Sequence, residues 1–162
     1  MSRLKCRVRF TFRSEPCDTI DPLQVFAAAE SAPRFYWEQP AAGRFRVGIG
    51  AAARLTAAGP SRFKDIDAAA RELFAAVGWE GSGPRVAQLV GGFAFSDTLK
   101  ANGLWRGFPA GELRLPELVY SSDGNGCAHA LLSGSRWAML RPRPLALGHP
   151  VRGVVEIGNG GP

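Results

Sequence analysis

Long apolar runs are missing from this chain of 162 residues, and that absence excludes a helical membrane span. A helix crossing a bilayer needs roughly 20 consecutive apolar residues. The longest mild run, Val86 to Phe95, is half that and is interrupted by Gln88, Gly91 and Gly92. No signal peptide is expected, because Arg3, Lys5, Arg7 and Arg9 break up any apolar stretch at the amino terminus. The expected location is therefore cytoplasmic. Cysteine is scarce: Cys6, Cys17 and Cys127 offer no CxxC spacing, and an odd number argues against a disulfide framework. They read as buried structural thiols. Histidine is limited to His129 and His149, and lysine to Lys5, Lys64 and Lys100. The glycines from Gly78 to Gly83 lack both GxGxxG and a following Lys-Ser/Thr, which excludes a nucleotide cradle. No GxSxG elbow supports a serine nucleophile.

What remains is the composition of one ordinary globular domain, 46% hydrophobic and 21% charged, long enough to bury a core. The net charge of +6 is concentrated at the two ends. Arg3 to Arg13 carries one basic cluster, and Arg136, Arg141, Arg143 and Arg152 form another, while the stretch between is close to neutral. Such a distribution is weak support for an anionic partner.

Leu4, Cys6, Val8, Phe10 and Phe12 alternate with polar and basic residues, the period of a half-buried strand with a basic wet face. A turn is expected from Ser14 to Asp21. A short helix follows over Pro22 to Ser31, with Asp21 as its cap and Pro33 beyond its end. Arg34 to Gln39 and Arg44 to Ile49 read as strands of a hairpin joined by Pro40-Ala41-Ala42-Gly43. Ala51 to Ala57 continues extended, or the chain bends at Gly48 and Gly50, where the backbone needs freedom. The clearest helix is Ser61 to Val77, capped by Ser61 and ended by Gly78, with Phe63, Ile66, Ala70, Leu73, Phe74 and Val77 as its core stripe. After a polar loop, Val86 to Phe95 reads as a buried strand and Ser96 to Gly103 as a loop. Trp105 to Phe108 is a short extended piece, and Glu112 to Ser121 is a strand interrupted by Pro116. Asp123-Gly124-Asn125-Gly126 is a hairpin turn into Cys127 to Ser133. The fold class is α+β, a mostly antiparallel sheet with one long and one short helix. Residues 1–133 form this region. Residues 134–162, rich in Pro, Gly and Arg, read as a disordered tail or as non-native sequence.

Several of these elements occur in an order that resembles isochorismate synthases, of the chorismate-utilising enzymes. Phe35-Tyr36-Trp37-Glu38 looks like their aromatic strand before a glycine turn, and Gly48-Ile49-Gly50-Ala51-Ala52 looks like the glycine-alanine strand that follows. The helix from Phe63 to Val77 sits where the family has its first amphipathic helix. Gly91-Gly92-Phe93-Ala94-Phe95, Trp105, Phe108-Pro109 and Leu115-Pro116-Glu117-Leu118 resemble its glycine-aromatic and proline-containing strands. Phe93-Ala94-Phe95-Ser96-Asp97 is closer to the isochorismate branch than to the anthranilate branch. The resemblance implies the amino-terminal part of that fold, with menaquinone or siderophore biosynthesis as its setting.

Turning chorismate into isochorismate needs a base, an acid and a divalent cation. The resemblance implies Mg2+, with the lysine base and the glutamates of the family in the carboxy-terminal part that this sequence lacks. The acids present are scattered: Glu72, Glu80, Asp97, Glu112, Glu117 and Asp123, while Asp65 and Asp67 point apart on a helix. No catalytic, cofactor-binding or metal residue is assigned, and the chain is expected to be inactive alone, binding chorismate only with the missing half present. An exposed apolar face is expected to associate with a partner. Glycines beside aromatics in strands also have a plain explanation, since they let a ring pack over bare backbone. Two other classes compete with the enzyme fragment. One is a stand-alone α+β module that binds a protein or small anion. The other is nucleic-acid binding through Arg3 to Arg13, disfavoured because the aromatics fall on the opposite side of that strand. No nucleic-acid or membrane partner is expected.

Overall fold

The computed structural model describes residues 10–96 and 107–135, together with the backbone of 155–158. Among the described residues, ten strands and two α-helices make an α+β fold of two sheets, mostly antiparallel. The strands are β1 (Phe10–Cys17), β2 (Arg34–Gln39), β3 (Arg44–Ile49), β4 (Ala53–Thr56), β5 (Val77–Glu80), β6 (Val90–Phe93), β7 (Gly111–Leu115), β8 (Leu118–Asp123), β9 (Cys127–Leu132) and β10 (Val155–Gly158). The helices are α1 (Pro22–Ala27) and α2 (Arg62–Ala75). Six strands pair in the order β2-β3-β8-β9-β1-β5, and four in the order β10-β4-β7-β6. Two neighbours, β1 with β5 and β10 with β4, run parallel.

The β2–β3 hairpin forms where alternation and turn chemistry agree. Its ladder runs from Arg34 opposite Ile49 to Gln39 opposite Arg44, around a single 3-10 turn at Pro40–Ala42. The β8–β9 hairpin turns at Asp123, whose carboxylate accepts the N–H groups of Asn125 at 2.9 Å and Gly126 at 3.2 Å. Those two bonds hold its carboxyl below the usual range. Asp21 caps α1 as its position implies, accepting the Leu23 N–H at 2.9 Å.

The six-stranded sheet is the central one, and core packs against both of its sides. On one side, Phe45, Val47, Ile49, Leu118 and Tyr120 form a cluster closed by α1, with Phe26 packed beside it. On the other, Phe10, Phe12 and Ala130 meet Ala53, Leu55 and Leu115 of the second sheet and Leu73 of α2. Trp79 of β5 adds its ring to this layer, 5.7 Å from that of Phe12 between centroids. The tryptophan thus anchors core, whereas Trp37 on β2 is half exposed.

Several expectations from the sequence need correction. The stretch Ser14 to Cys17 is strand, not turn: β1 pairs with β9 as far as Cys17 opposite Cys127. Pro16 is tolerated because β5 pairs only as far as Arg13, so no neighbour on that side needs its missing N–H. The first helix stops at Ala27, short of Ser31. Ser61 does not cap α2 through its side chain; its hydroxyl donates to Asp65 at 2.6 Å instead. Gly78 does not end that helix but lies in β5 opposite Thr11. Within the expected core stripe, Ile66 and Leu73 are buried, while Phe63 and Phe74 are exposed and Arg62 is buried in their stead. The segment Val86 to Phe95 is not a buried strand: β6 covers only Val90–Phe93, and Gly91 to Phe93 are exposed. Glu112 to Ser121 is two strands in two sheets, with the chain crossing between them at Pro116. The expected strand from Leu4 to Arg9, the Trp105 segment and most of the tail lie outside the described residues.

Candidate functional site

Phe35 and Trp37 share a face of β2, the face opposite to Tyr36, which packs into the α1 cluster. The register places Phe35 beside Gly48 of β3, and the ring lies directly over that glycine. A Cβ at Gly48 would come 2.0 Å from Phe35 Cε1 and 2.8 Å from Pro116 Cγ. The second sheet repeats the device: Phe93 of β6 lies opposite Gly111 of β7, where a Cβ would meet Phe93 Cδ1 at 2.8 Å. Phe93 also stacks on Phe63 of α2 with centroids 4.5 Å apart. The plain explanation for aromatic-glycine pairs, a ring over bare backbone, therefore holds at both places.

It does not exhaust them. Phe35, Trp37, Phe93, Phe95 and Phe108 all line one cleft of about 1120 Å³. Phe95 and Phe108 present most of their surface to solvent. The two aromatic-glycine segments, distant in sequence, thus face a single hollow between the sheets. Its volume lies just above the usual span of small-molecule and cofactor sites.

The polar wall comes from the second sheet. Arg54 of β4 and Arg114 of β7 are direct partners in the ladder, so two guanidinium groups lie side by side. Glu112 joins them: Arg54 donates to its Oε2 from Nε at 2.7 Å and from Nη2 at 2.5 Å. Arg114 Nε donates to Oε1 of the same carboxylate. The Glu112 side chain is only 13% exposed. Burial alone would raise its pKa, but the hydrogen bonds and charges of Arg54 and Arg114 outweigh that and hold the carboxyl below its ordinary range. Two cations against one anion leave the group with net positive charge. Arg34 turns its guanidinium to the α1 side, onto the Phe26 carbonyl at 2.9 Å and over the Phe26 ring, so it is Arg54 and Arg114 that suit the cleft to a ligand both flat and anionic.

Among the described residues, several carboxylates that could serve as acid or base are already committed to other partners. Glu117 accepts from the Ser135 hydroxyl at 2.7 Å, Asp67 pairs with Arg71 at 3.0 Å, and Asp123 is committed to its turn. Glu112 is the only carboxylate among the described lining residues, and two arginines occupy it. His129 lies on β9 opposite Tyr120 and Glu15, outside the lining. Among the described residues no three His, Cys, Asp or Glu side chains converge to hold a metal ion. These described residues do not fit a magnesium site. Lys5, Lys100, Asp97 and His149 fall outside the described residues. The sequence marks Phe35, Trp37, Phe93, Phe95 and Phe108 as family features and Glu112 as one of several scattered acids, but Arg54 and Arg114 were missed. Arg114 and Glu112 share a strand at i and i+2, which places them on one face, and that was the available signal.

Among the described residues no helix is long and apolar enough to cross a membrane. Residues 4–133 match the family model described as chorismate binding enzyme, and with most of its length covered the chain belongs to that family. No curated protein and no solved structure matches it.

Proposed function

We propose that this member of the chorismate binding enzyme family is the amino-terminal part of an isochorismate synthase, whose full-length relatives convert chorismate to isochorismate for menaquinone or siderophore biosynthesis. The single observation that carries the proposal is the convergence of both aromatic-glycine segments on one arginine-lined cleft, in a chain matched by the family over 4–133. The cleft supplies an apolar wall for a ring and guanidinium groups for carboxylates. Among its described residues the cleft holds one carboxylate, Glu112, occupied by two arginines; in this reading the base, the acid and the magnesium ligands come from a carboxy-terminal half. The chain alone is then inactive, and the exposed aromatics Phe95 and Phe108 are where that half docks. Its setting is the cytoplasm.

The test is complementation. The chain is mixed with the carboxy-terminal half of an isochorismate synthase, and isochorismate formation from chorismate is followed with Mg2+ present. Turnover by the mixture and none by either part is the expected result. Turnover by this chain alone, or no turnover by a mixture that does associate, sinks the proposal.

A second reading is favoured by one observation. The backbone of Val155–Gly158 lies parallel to β4 along its outer edge, so the chain closes that sheet edge with its own segment. This suits a stand-alone α+β module for a protein or small anion. Cooperative unfolding as a monomer without bound hydrophobic dye supports the module, and strong dye binding supports the half-enzyme.

A further inference from the structure

Cys17 is the last residue of β1 and Cys127 the first of β9, and the antiparallel register sets them directly opposite one another. Direct partners on antiparallel strands project to the same face with Cβ atoms about 4.5–5.5 Å apart. A disulfide requires a Cβ separation of about 3.5–4.5 Å, so a small adjustment joins them. Strand ends permit that adjustment, because fewer ladder bonds hold them. Both thiols are free and partly buried, and both pack against the α1-side cluster. The Thr19 hydroxyl lies 3.4 Å from Cys127 Sγ, and the Tyr120 hydroxyl is held by the Ile20 backbone on the same connection.

We propose that Cys17 and Cys127 are a redox modification site, closing a reversible cross-strand disulfide when the chain meets a disulfide oxidant such as glutathione disulfide. One protein thiolate attacks a sulfur of the oxidant, forming a mixed disulfide and releasing one glutathione thiolate. The second protein thiolate then attacks the protein sulfur of that mixed disulfide and releases the other glutathione. Two protein thiols lose two protons and two electrons, and the oxidant becomes two thiols. Burial, with the neighbouring Cys127, pushes the Cys17 thiol up to about 11, so exchange near neutral pH is slow. The bond ties the end of β1, and with it the connection into α1, to the start of β9. By closing a long loop it restricts the unfolded chain.

The experiment exposes the folded full chain to glutathione disulfide, blocks remaining thiols, digests without reduction and maps the peptides by mass. A Cys17–Cys127 linked peptide that disappears on reduction is expected, with a melting temperature higher by several degrees than that of the reduced chain. The same treatment of the urea-unfolded chain measures chance pairing among the three thiols. Glutathione adducts alone, a bridge to Cys6, unreacted thiols, or a linked yield no higher than in urea each overturn the site. A bond without any rise in melting temperature overturns its fastening role. Cys17→Ser is expected to remove the rise, and the peptide map decides if that variant does not fold.

Discussion

The two sides of the central sheet are built from similar residues and finished differently. On the α1 side, Phe45, Val47, Ile49, Leu118 and Tyr120 are all buried, and the aromatic rings of Phe45 and Tyr120 meet at 5.0 Å. On the other side the core is equally dry over β1, where Phe12, Leu55 and Leu115 are fully enclosed. It opens over β2 and β3, where the second sheet stands off and the cleft begins. The same sheet thus changes from core to binding wall along its width. The lesson is that a strand's apolar face has no fixed role, because what stands opposite decides it.

The largest way to sharpen this contrast is to remove a ring from the closed part. Phe12 has no exposed surface and packs on Trp79, so Phe12→Ala is expected to cost about 3–5 kcal/mol. Urea unfolding checks it, and a loss under about 1 kcal/mol would mean that the β1 layer is no tighter than the cleft.

That contrast was only partly legible in the sequence. The β2–β3 hairpin and the Asp123 turn were readable because alternation and turn residues are local and agreed with each other. The fate of Val86 to Phe95 was not, since an apolar run shows that a segment can be buried but not whether anything covers it. For the same reason the α2 stripe suggested Phe63 and Phe74 as core, although Phe63 meets the second sheet only at the exposed ring of Phe93 and both stay open to solvent. Pro116 announced a break, but whether a strand resumes in the same sheet or crosses to another depends on contacts far away in the chain. The cleft is the extreme case. Its aromatics were visible as a pattern, but their convergence follows from the pairing of β3 with β8 and of β6 with β7.

A middle-sized effect is expected from the polar wall. Glu112→Gln leaves Arg54 and Arg114 facing each other without their shared anion, and about 1–3 kcal/mol should be lost at pH 7. The sign against pH follows from the depressed carboxyl. Because its folded pKa lies below the ordinary 4.5, the stabilisation is complete above that value and fades as the pH falls through the folded pKa. Unfolding measured from pH 7 downward should therefore show the parent losing its advantage over the variant only below about 4.5. A constant difference across that range would show that the arginines do not depend on this charge.

The smallest expected change in stability belongs to the open part of the cleft, and it bears most directly on function. Phe95 is fully exposed, so Phe95→Ser should alter unfolding by no more than about 0.5 kcal/mol. If the aromatic rim exists to be covered, the same substitution should lower binding of a hydrophobic dye and weaken association with a complementing half. Stability without the ring and association with it would separate the two roles that one aromatic pattern conceals. A substantial loss of stability would instead place Phe95 among the residues that hold the fold, making the cleft's edge a continuation of the core.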